Sequence, residues 1–470
     1  MDPYTSSSYR DKKVAVIGLG IEGLDLAEFL LKEGAVVTLS DKKPFHEIEP
    51  LITTLERQFP TAQIQYANPE SLIQDLNTYK GVFVSQGIPE NNPILTKASD
   101  LDIHISSMLE LFMSRCPAPI VGITGSSGKT TTTALVAAIL EAANEDFIVG
   151  GNIGKGLLTQ LGDIKHSTKV IVEMSHTQLL RVTRSPEIAC VTNVTPNHLD
   201  QFSWKDYIDL KRNIIRWQRP EDNFVAQIDN PIVREFVIEA TGKVLETSTQ
   251  TDPSSITFPK VFLSSNFLKY ANDITEEVTI CDVEKLKIPG SHNVQNVACA
   301  AAISILLEID IRHISSALMS FSGVEHRLEK INKVNNISFI NDSIATTPDR
   351  TLVGLKSINT RTILLMGGRD KKLPFDKLLP EIAKKCRDVI TFGESSQLFK
   401  DRIILPGVKV HERKSLGDAF ELAVKLGTPG DCILLSPGGT SFDQYRTFEE
   451  RGTEFKKLVD ALEDEPVTCA

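Results

Sequence analysis

The segment TGSSGKT places Gly125, Gly128, Lys129 and Thr130 between a predicted strand and a predicted helix. Glycines at such a turn let backbone N–H groups point at phosphate oxygens, a lysine reaches the β- and γ-phosphates, and the hydroxyl after it can ligate Mg²⁺. Ile123 stands where the standard pattern has its first glycine. Because a strand precedes the loop and a helix follows it, a nucleotide-phosphate loop is favoured over a chance turn.

A second glycine loop, GLGIEG, contains Gly18, Gly20 and Gly23, and Asp41 follows the next predicted strand. This spacing is typical of a dinucleotide-binding turn, in which the acidic residue meets the ribose. The pattern by itself fits NAD, another diphosphate ligand, or a tight turn that binds nothing. One chain therefore carries two phosphate-type loops, and the second needs a ligand of its own.

Two strand ends near the first loop carry residues that could hold a metal. Glu173 ends the strand in VIVEMS, and His198 follows the strand in CVTNVTPNHLD. A carboxylate and an imidazole at neighbouring strand ends beside a phosphate loop could ligate a divalent ion that bridges phosphates. Lys211, in YIDLKRNIIRW, is interpreted from the residue pattern alone as a solvated helix lysine.

Further candidates lie in the second half of the chain. Asn293 and Asn296 share a face in the first turn of a predicted helix, where capping is favoured over contact with a base. Arg327, in VEHRLE, could close onto a phosphate or form a salt bridge between domains. A third group lies near glycine-rich turns, where its lysine and serine, together with backbone N–H groups, suit a small carboxylate ligand. Its members are Asp342, Lys371, Ser441 and Phe448. For each member the alternative is local turn chemistry.

Repeated apolar, β-branched segments, each followed by a polar loop and a helical stretch, predict an α/β fold. Continuous apolar runs indicate parallel strands covered on both faces, and ligands of such sheets sit at the carboxyl ends of the strands. The chain is predicted to divide into domains at residues 1–106, 107–322 and 323–470. The stretch from about 245 to 287 is interpreted as a β-rich elaboration of the second domain.

Composition narrows the class of protein. A net charge of −10 argues against general nucleic-acid binding. No apolar run reaches the roughly 18 residues that a membrane span needs, and the first residues lack the apolar core of a signal peptide. The seven cysteines form no CxxC pair, which favours reduced thiols. We expect a cytoplasmic monomer that binds small molecules, with no nucleic-acid or membrane partner.

Taken in order, the motifs resemble those of the Mur ligases over essentially the whole chain. They are TGSSGKT, the E-x-S strand end, TNVTPNHLD, GSHNVQN, HRLE, NDSIAT, GGRDKK and SPGGTSFDQYRTFEERG. The last one resembles the D-glutamate-adding members. The resemblance implies ATP-dependent amide synthesis in peptidoglycan assembly, with UDP-N-acetylmuramoyl-L-alanine, D-glutamate and ATP as substrates. It also implies a Rossmann-like first domain, a central P-loop ATPase-type domain with a mostly parallel sheet, and a Rossmann-like third domain.

The resemblance also assigns site residues. The ATP phosphates would be held by the loop residues Gly125, Ser126, Ser127, Gly128, Lys129, Thr130 and Thr131. Further ATP contacts would come from Asn293, Asn296, Arg327 and Asp342. Two Mg²⁺ ions would be held by Thr130, Glu173, His198 and Lys211, with Lys211 carrying a carbamate. Lys129, His198 and Lys211 would be catalytic.

The two remaining substrates are assigned in the same way. The sugar nucleotide would lie against Gly20, Ile21, Glu22, Asp41, Ser85, Gly87 and Asn152. D-glutamate would lie against Lys371, Ser441 and Phe448. On this interpretation the GLGIEG loop holds UDP and the TGSSGKT loop holds ATP, which accounts for both loops.

Four positions depart from the family pattern. His176 and Thr177 stand where a serine and an aromatic residue are expected, Gln86 replaces a usual proline, and Ile344 replaces a lysine found in some members. None of them is an expected phosphate or metal ligand. A Mur-type ligase for L-glutamate or D-aspartate stays open, as do an NAD(P)-dependent oxidoreductase and a nucleotide-binding regulator without catalysis.

Overall fold

The structure is a computed structural model that describes residues 9–153, 156–197, 199, 201–250, 255, 259–273, 277–288, 290–371 and 373–462. The chain forms two compact units, residues 1–321 and 322–470. Unit 1 contains two sheets and unit 2 contains one. The mixed α/β class predicted from the sequence is confirmed, whereas the three-domain boundaries stay a prediction.

The first sheet of unit 1 is entirely parallel, in the order β3-β2-β1-β4-β5. Its strands are β1 Lys13–Ile17, β2 Val36–Ser40, β3 Ile64–Tyr66, β4 Gly81–Val84 and β5 His104–Ser107. The helices between them are α1 Ile21–Lys32, α2 Phe45–Gln58, α3 Pro69–Gln74 and α4 Pro93–Asp100. The strand order reverses between β1 and β4, and ligands of such sheets bind outside the strand ends at that point.

The second sheet of unit 1 has nine strands, in the order β14-β13-β12-β11-β10-β9-β6-β8-β7. Its strands are β6 Ile120–Thr124, β7 Phe147–Gly151, β8 Lys169–Glu173, β9 Ile188–Val191, β10 Asn223–Gln227, β11 Lys243–Ser248, β12 Lys260–Ser264, β13 Phe267–Ala271 and β14 Val278–Asp282. Only β13 pairs antiparallel, with β12 and β14. The β-rich stretch predicted near 245–287 therefore extends the same sheet.

The helices of this part of unit 1 start mostly at polar caps, which satisfy the unpaired backbone N–H groups of a first turn. They are α5 Met108–Arg115, α6 Lys129–Ala142, α7 His176–Leu179, α8 Trp204–Arg212, α9 Pro231–Glu239, α10 Ser291–Leu306 and α11 Ile311–Ser320. Ser107 caps α5 and Ser203 caps α8 with their hydroxyls. No helix in the described ranges is long and apolar enough to cross a membrane.

Unit 2 contains a six-stranded sheet in the order β15-β16-β20-β17-β18-β19, parallel except for β15. Its strands are β15 Glu329–Val334, β16 Ile337–Asn341, β17 Thr362–Gly367, β18 Cys386–Phe392, β19 Lys409–Arg413 and β20 Cys432–Gly438. Its helices are α12 Pro348–Ser357, α13 Leu379–Lys385, α14 Ser396–Arg402, α15 Leu416–Leu426 and α16 Phe448–Ala461. Both faces of the sheet carry apolar clusters, as expected of buried parallel strands.

One apolar cluster in unit 1 joins the first sheet to the second. It contains Leu26 and Leu30 of α1, Phe112 of α5, and Val170 and Val172 of β8. Burial of apolar surface stabilises a fold by about 25 cal/mol per Å². A cluster shared by the two sheets therefore stabilises their packing against each other. The residues before and after position 106 therefore pack as one compact body.

Candidate functional site

The phosphate loop joins the end of β6 to the start of α6. Gly128 is the N-cap of α6 with φ +83°, and Gly125 has φ +152°, conformations that a residue with a Cβ rarely adopts. Ile123, at the position of the missing first glycine, is a fully buried residue of β6 whose carbonyl pairs with Met174 N–H. Its place in the strand explains why no glycine is required there.

A neighbouring segment after β9 fixes the loop through hydrogen bonds. Ser126 N–H donates to Asn193 O at 2.9 Å, and Ser127 N–H donates to Asn193 Oδ1 at 3.0 Å. Thr192 Oγ1 donates to Ser127 O at 2.6 Å, and Thr195 N–H donates to Ser126 Oγ at 2.9 Å. These hydrogen bonds fix the conformation of the loop against the segment that follows β9.

Lys129 is the first residue of α6, and Thr130 and Thr131 follow it in the first turn. Its Nζ donates to Gly125 O at 2.8 Å, so the ammonium group lies over the loop in the position from which it could meet phosphate oxygens. The start of a helix favours anions because its first N–H groups lack partners inside the helix. The loop, the ammonium group of Lys129 and the dipole of α6 would therefore all attract an anion to the same place.

Lys211 is buried in unit 1, only 1% exposed, which contradicts its interpretation as a solvated lysine. It lies on the inward face of α8, and its Nζ donates to Thr124 Oγ1 at 2.9 Å. Burial and the nearby charge of Lys129 hold the pKa of Lys211 well below its ordinary value, and only the charge of Glu173 opposes this. Burial and the charge of Lys129 therefore both disfavour the charged form of this amine.

Glu173 ends β8, the strand beside β6, so the parallel arrangement brings its carboxylate to the phosphate loop. Asn152 Nδ2 donates to Glu173 Oε1 at 2.8 Å, and the other oxygen, Oε2, is buried without a hydrogen-bond partner in the described structure. A buried carboxylate oxygen without a donor suits a cation. The residues present therefore fit a divalent cation such as Mg²⁺ through this oxygen of Glu173.

The described ranges contain no cluster of three His, Cys, Asp or Glu side chains that could hold a metal by themselves. His198, the predicted imidazole ligand, lies outside the described residues. Its predicted role therefore stays a prediction.

The paired asparagines lie at the start of α10, but the expectation that they cap it is wrong. The N-cap is Gly290, with φ +101°, and it has no side-chain cap. Asn296 Nδ2 donates to Asn293 Oδ1 at 3.2 Å, and Asn296 Oδ1 lies so close to Gly128 that a Cβ atom there would collide with it. The side chain of Asn296 therefore faces the phosphate loop, and Asn293 accepts a hydrogen bond from it.

The GLGIEG loop joins β1 to α1. A Cβ on Gly23 would overlap Gly18 O, whereas a Cβ on Gly20 would meet no atom within 4 Å. Asp41 Oδ2 accepts from Leu19 N–H at 2.7 Å, so this carboxylate orders the loop. Ile21 is 73% exposed at the mouth of the loop.

Two more predicted contacts of the sugar nucleotide face the inside of unit 1. Ser85 Oγ donates to Gly18 O at 2.9 Å, which ties the end of β4 to the loop. Glu22 is 7% exposed and its carboxylate accepts from Gln86 N–H and from Gln178 Nε2, while burial raises its pKa. Its side chain therefore joins the two sheets, and only its backbone remains available to a ligand at the loop.

In unit 2, Asp342 follows β16 and is 4% exposed. Its carboxylate accepts from Ser436 Oγ at 2.8 Å and from Leu328 N–H at 3.3 Å. Burial raises its pKa to about 7 against these hydrogen bonds. Arg327 is exposed one residue before Leu328, so Asp342 shapes the turn that presents this arginine.

The predicted carboxylate-binding residues of unit 2 lie on three loops. Lys371 is exposed after β17, and partial burial of its ammonium group and the charge of Arg350 lower its pKa. Ser441 is buried after β20, and its carbonyl accepts from Tyr445 N–H at 2.8 Å. Phe448 begins α16, and its carbonyl accepts from Ser343 Oγ at 2.7 Å. Their contacts with a ligand stay a prediction.

A fully buried arginine connects two of these loops. Arg451 donates through Nε to Ser343 Oγ at 3.1 Å, through Nη2 to Ser343 O at 2.9 Å and through Nη1 to Gly439 O at 3.2 Å. Burial lowers its pKa to about 10. The guanidinium fork thus fixes the loop after Asp342 against the loop before Ser441.

The sequence analysis missed Thr124, Asn193, Tyr207 and Arg451. Tyr207 lies one turn before Lys211, and its hydroxyl is 3.1 Å from Ser126 Oγ. Its ring lies 5.6 Å from Lys211 Nζ. An i, i+4 pairing with Lys211 was visible in the sequence, but nothing local indicated which face of α8 was buried.

The parallel sheets, the phosphate loop and the adjoining carboxylate define a nucleotide-binding α/β protein. Three family models match the chain: a Mur ligase MurD-like N-terminal domain at residues 12–107, a Mur ligase middle domain at 123–304, and a Mur ligase glutamate ligase domain at 326–439. Two relatives are called UDP-N-acetylmuramoylalanine–D-glutamate ligase. The one from Acetivibrio thermocellus is 37% identical over 97% of both chains, and the one from Symbiobacterium thermophilum is 34% identical over 96% of this chain and 98% of its own. The chain belongs to the Mur ligase family.

Solved structures agree with this fold. The UDP-N-acetylmuramate–alanine ligase MurC from Thermotoga maritima matches with a TM-score of 0.53 at 19% identity, covering 96% of this chain and 99% of its own. FolC from E. coli, in complex with DHPP and ADP, matches with a TM-score of 0.52 at 14% identity, covering 76% of this chain and 93% of its own. At these identities the likeness concerns the fold alone.

Proposed function

We propose that this protein joins D-glutamate to UDP-N-acetylmuramoyl-L-alanine in an ATP-dependent reaction. The observation that carries the proposal is the meeting of the phosphate loop, Lys211 and Glu173 at one edge of the central sheet, in a chain 37% identical over nearly its whole length to a relative of that name. Such a reaction serves peptidoglycan precursor synthesis. Family membership favours a ligase over an NAD(P)-dependent oxidoreductase, which would leave the phosphate loop without a role.

The proposed reaction has two steps. The alanine carboxylate attacks the γ-phosphate of ATP, which forms an acyl phosphate and releases ADP. The amine of D-glutamate then attacks the acyl carbon, phosphate leaves, and the amine loses a proton. Phosphoryl transfer of this kind depends mainly on positioning and on cations around the moving charge.

The residues of unit 1 support the first step. In the loop from Gly125 to Thr131, the backbone N–H groups at the start of α6, from Gly128 onward, would hold the phosphates, with Lys129 over the β- and γ-oxygens. The N–H groups of Ser126 and Ser127 instead hold the loop to Asn193. Glu173, Thr130 and His198 would hold Mg²⁺, which when bound neutralises phosphate charge. Asn152 keeps one oxygen of Glu173 occupied, so that the other faces the cation.

The finer parts of the proposal go beyond the fold. A carbamate on Lys211 would add a negative group for a second Mg²⁺, and the lowered pKa of this buried amine supports it. Asn293, Asn296, Arg327 and Asp342 would contact ATP. The GLGIEG loop would hold the sugar nucleotide, together with Gly20, Ile21, Glu22, Asp41, Ser85, Gly87 and Asn152. D-glutamate would be held by Lys371, Ser441 and Phe448. A monomer in the cytoplasm, acting on small molecules alone, is part of the same proposal.

The test is phosphate release from ATP and Mg²⁺ in the presence of the sugar nucleotide and one amino acid at a time. We expect release only with both substrates, and fastest with D-glutamate. Release that prefers L-glutamate or D-aspartate would keep the mechanism and change the assigned substrate. No release with any amino acid would contradict the ligase proposal.

A further inference from the structure

Two positions that depart from the family pattern meet in the structure. Gln86 follows β4 of the first sheet, and Thr177 lies in α7, beyond the end of β8. Thr177 Oγ1 donates to Gln86 Oε1 at 3.3 Å, and Ser175 Oγ donates to the same oxygen at 3.0 Å. The amide oxygen of Gln86 therefore lies within hydrogen-bond distance of two hydroxyl groups at the start of α7.

These hydrogen bonds decide which way the amide of Gln86 points. Ser175 Oγ accepts from Gln178 N–H at 3.1 Å as the cap of α7, and it also lies 3.0 Å from Thr177 Oγ1. The backbone of Gln86 is fixed as well, because its N–H donates to Glu22 Oε2 at 2.8 Å. The amide oxygen faces α7, and the NH₂ group lies on the opposite side of the amide carbon.

That NH₂ group has no acceptor within the described part of unit 1, and the side chain is only half-buried. The open space nearby lies at two glycines, Gly87 next to Gln86 and Gly20 in the loop after β1. A Cβ atom on Gly87 or on Gly20 would meet no atom within 4 Å. A donor with a fixed direction beside an open cradle at a sheet's switch point is suited to a ligand's acceptor oxygen.

We infer that Gln86 is a specificity-determining residue whose side-chain N–H donates a hydrogen bond to an oxygen of the uridine nucleotide substrate, with Ser175 and Thr177 holding the amide in place. The inference rests on the proposed function for the identity of the nucleotide. A ligand contact would account for the fixed orientation of the Gln86 amide, which a simple structural tie between the two sheets does not need.

The test is calorimetric titration of the full chain with UDP and, separately, with UDP-N-acetylmuramoyl-L-alanine. Gln86→Met keeps the length of the side chain but removes its donor, and we expect roughly three- to tenfold weaker binding, the effect of one neutral hydrogen bond. Thr177→Val removes one hydroxyl and should weaken binding by a smaller factor, about twofold. It should have no added effect in the Gln86→Met background. Gln58→Met, an exposed glutamine of α2, is the matched control and should bind both ligands as the wild type does.

The outcomes separate this inference from the proposed function. A loss seen already with UDP places the acceptor on the nucleotide, and a loss seen only with the larger ligand places it on the sugar-peptide portion; both support the inference. Unchanged affinity with a lower melting temperature would make Gln86 a structural tie and overturn it, as would failure of the wild type to bind either ligand. Binding without ligase turnover would contradict the proposed function and leave the inference standing.

Discussion

Lys211 Nζ lies 2.9 Å from Thr124 Oγ1, and that hydroxyl in turn donates its proton to Met174 O at 2.7 Å. Because the single proton of Thr124 is used, the hydroxyl offers Lys211 a lone pair. An amine and a carbamate nitrogen both carry an N–H that can donate to it. Thr124 therefore positions Lys211 in either chemical form.

Thr124→Val should impair the function of Lys211 without removing its side chain. The variant leaves a buried nitrogen without its acceptor, which costs about 1–3 kcal/mol. We expect at least tenfold lower turnover and a weaker carbamate signal after incubation with ¹³C-labelled bicarbonate, measured by NMR. Thr133→Val is the matched control, because Thr133 Oγ1 is buried without a partner in the described structure and should tolerate the change. Equal carbamate signals in Thr124→Val and the wild type would contradict the positioning role.

Gly128→Ala should abolish tight ATP binding. The added methyl group would collide with Asn296 Oδ1, and φ +83° is unfavourable for alanine, so the loop or α10 must move. We expect ATP affinity to fall more than tenfold in a direct binding assay, with UDP affinity unchanged. Adding Asn296→Ala should restore little, since the backbone strain remains.

Gly162→Ala controls for the loss of a glycine as such. A Cβ there meets no atom within 4 Å, and its φ lies outside the left-handed range, so ATP binding should stay as in the wild type. If Gly128→Ala bound ATP equally well, the contact with Asn296 would not constrain the loop.

Arg451→Met should loosen two loops of unit 2. The variant removes three hydrogen bonds to Ser343 and Gly439 while leaving their carbonyl groups buried, at a cost of about 3 kcal/mol. We expect faster hydrogen–deuterium exchange at residues 341–345 and 438–441 and a lower melting temperature. Arg451→Lys should recover little, because a lysine lacks the planar fork. Arg446→Met, at an exposed position, should leave exchange in both loops unchanged.

Asp342 should make the stability of unit 2 depend on pH. Burial raises its pKa to about 7 from an ordinary value of 3.8, so the folded state holds the proton more tightly than the unfolded state does. Its contribution is present in full below about pH 4 and is lost as pH rises through about 7. Wild-type melting temperature should therefore fall between pH 5 and pH 8 by more than that of Asp342→Asn, whose amide is always neutral. Parallel curves for the two proteins would show that Asp342 does not titrate in this range.

The local sequence was sufficient to predict those structural features that lie within one short segment of the chain. The loop from Gly125 to Thr130 was predicted because strand, turn and helix follow one another directly. The parallel sheets followed from runs of apolar residues, and the β-rich stretch near 245–287 from its composition. The family resemblance added the order of these parts along the chain, which family models over three ranges then matched.

Tertiary structure decided the contacts that join distant segments. The amine of Lys211 and the hydroxyl of Thr124 are 87 residues apart, and nothing near Lys211 indicates that its face of α8 is buried. Asn296 was expected to cap a helix, but Gly290 begins it, and the side chain faces Gly128 instead. Gln86 and Thr177 each departed from a pattern, and only the packing of two sheets showed that they bond to each other. The sequence by itself determined which groups are present and in what order, because strand, loop and helix signals are local. Which of those groups meet, and which become buried enough to change their chemistry, was decided by the packing of the sheets.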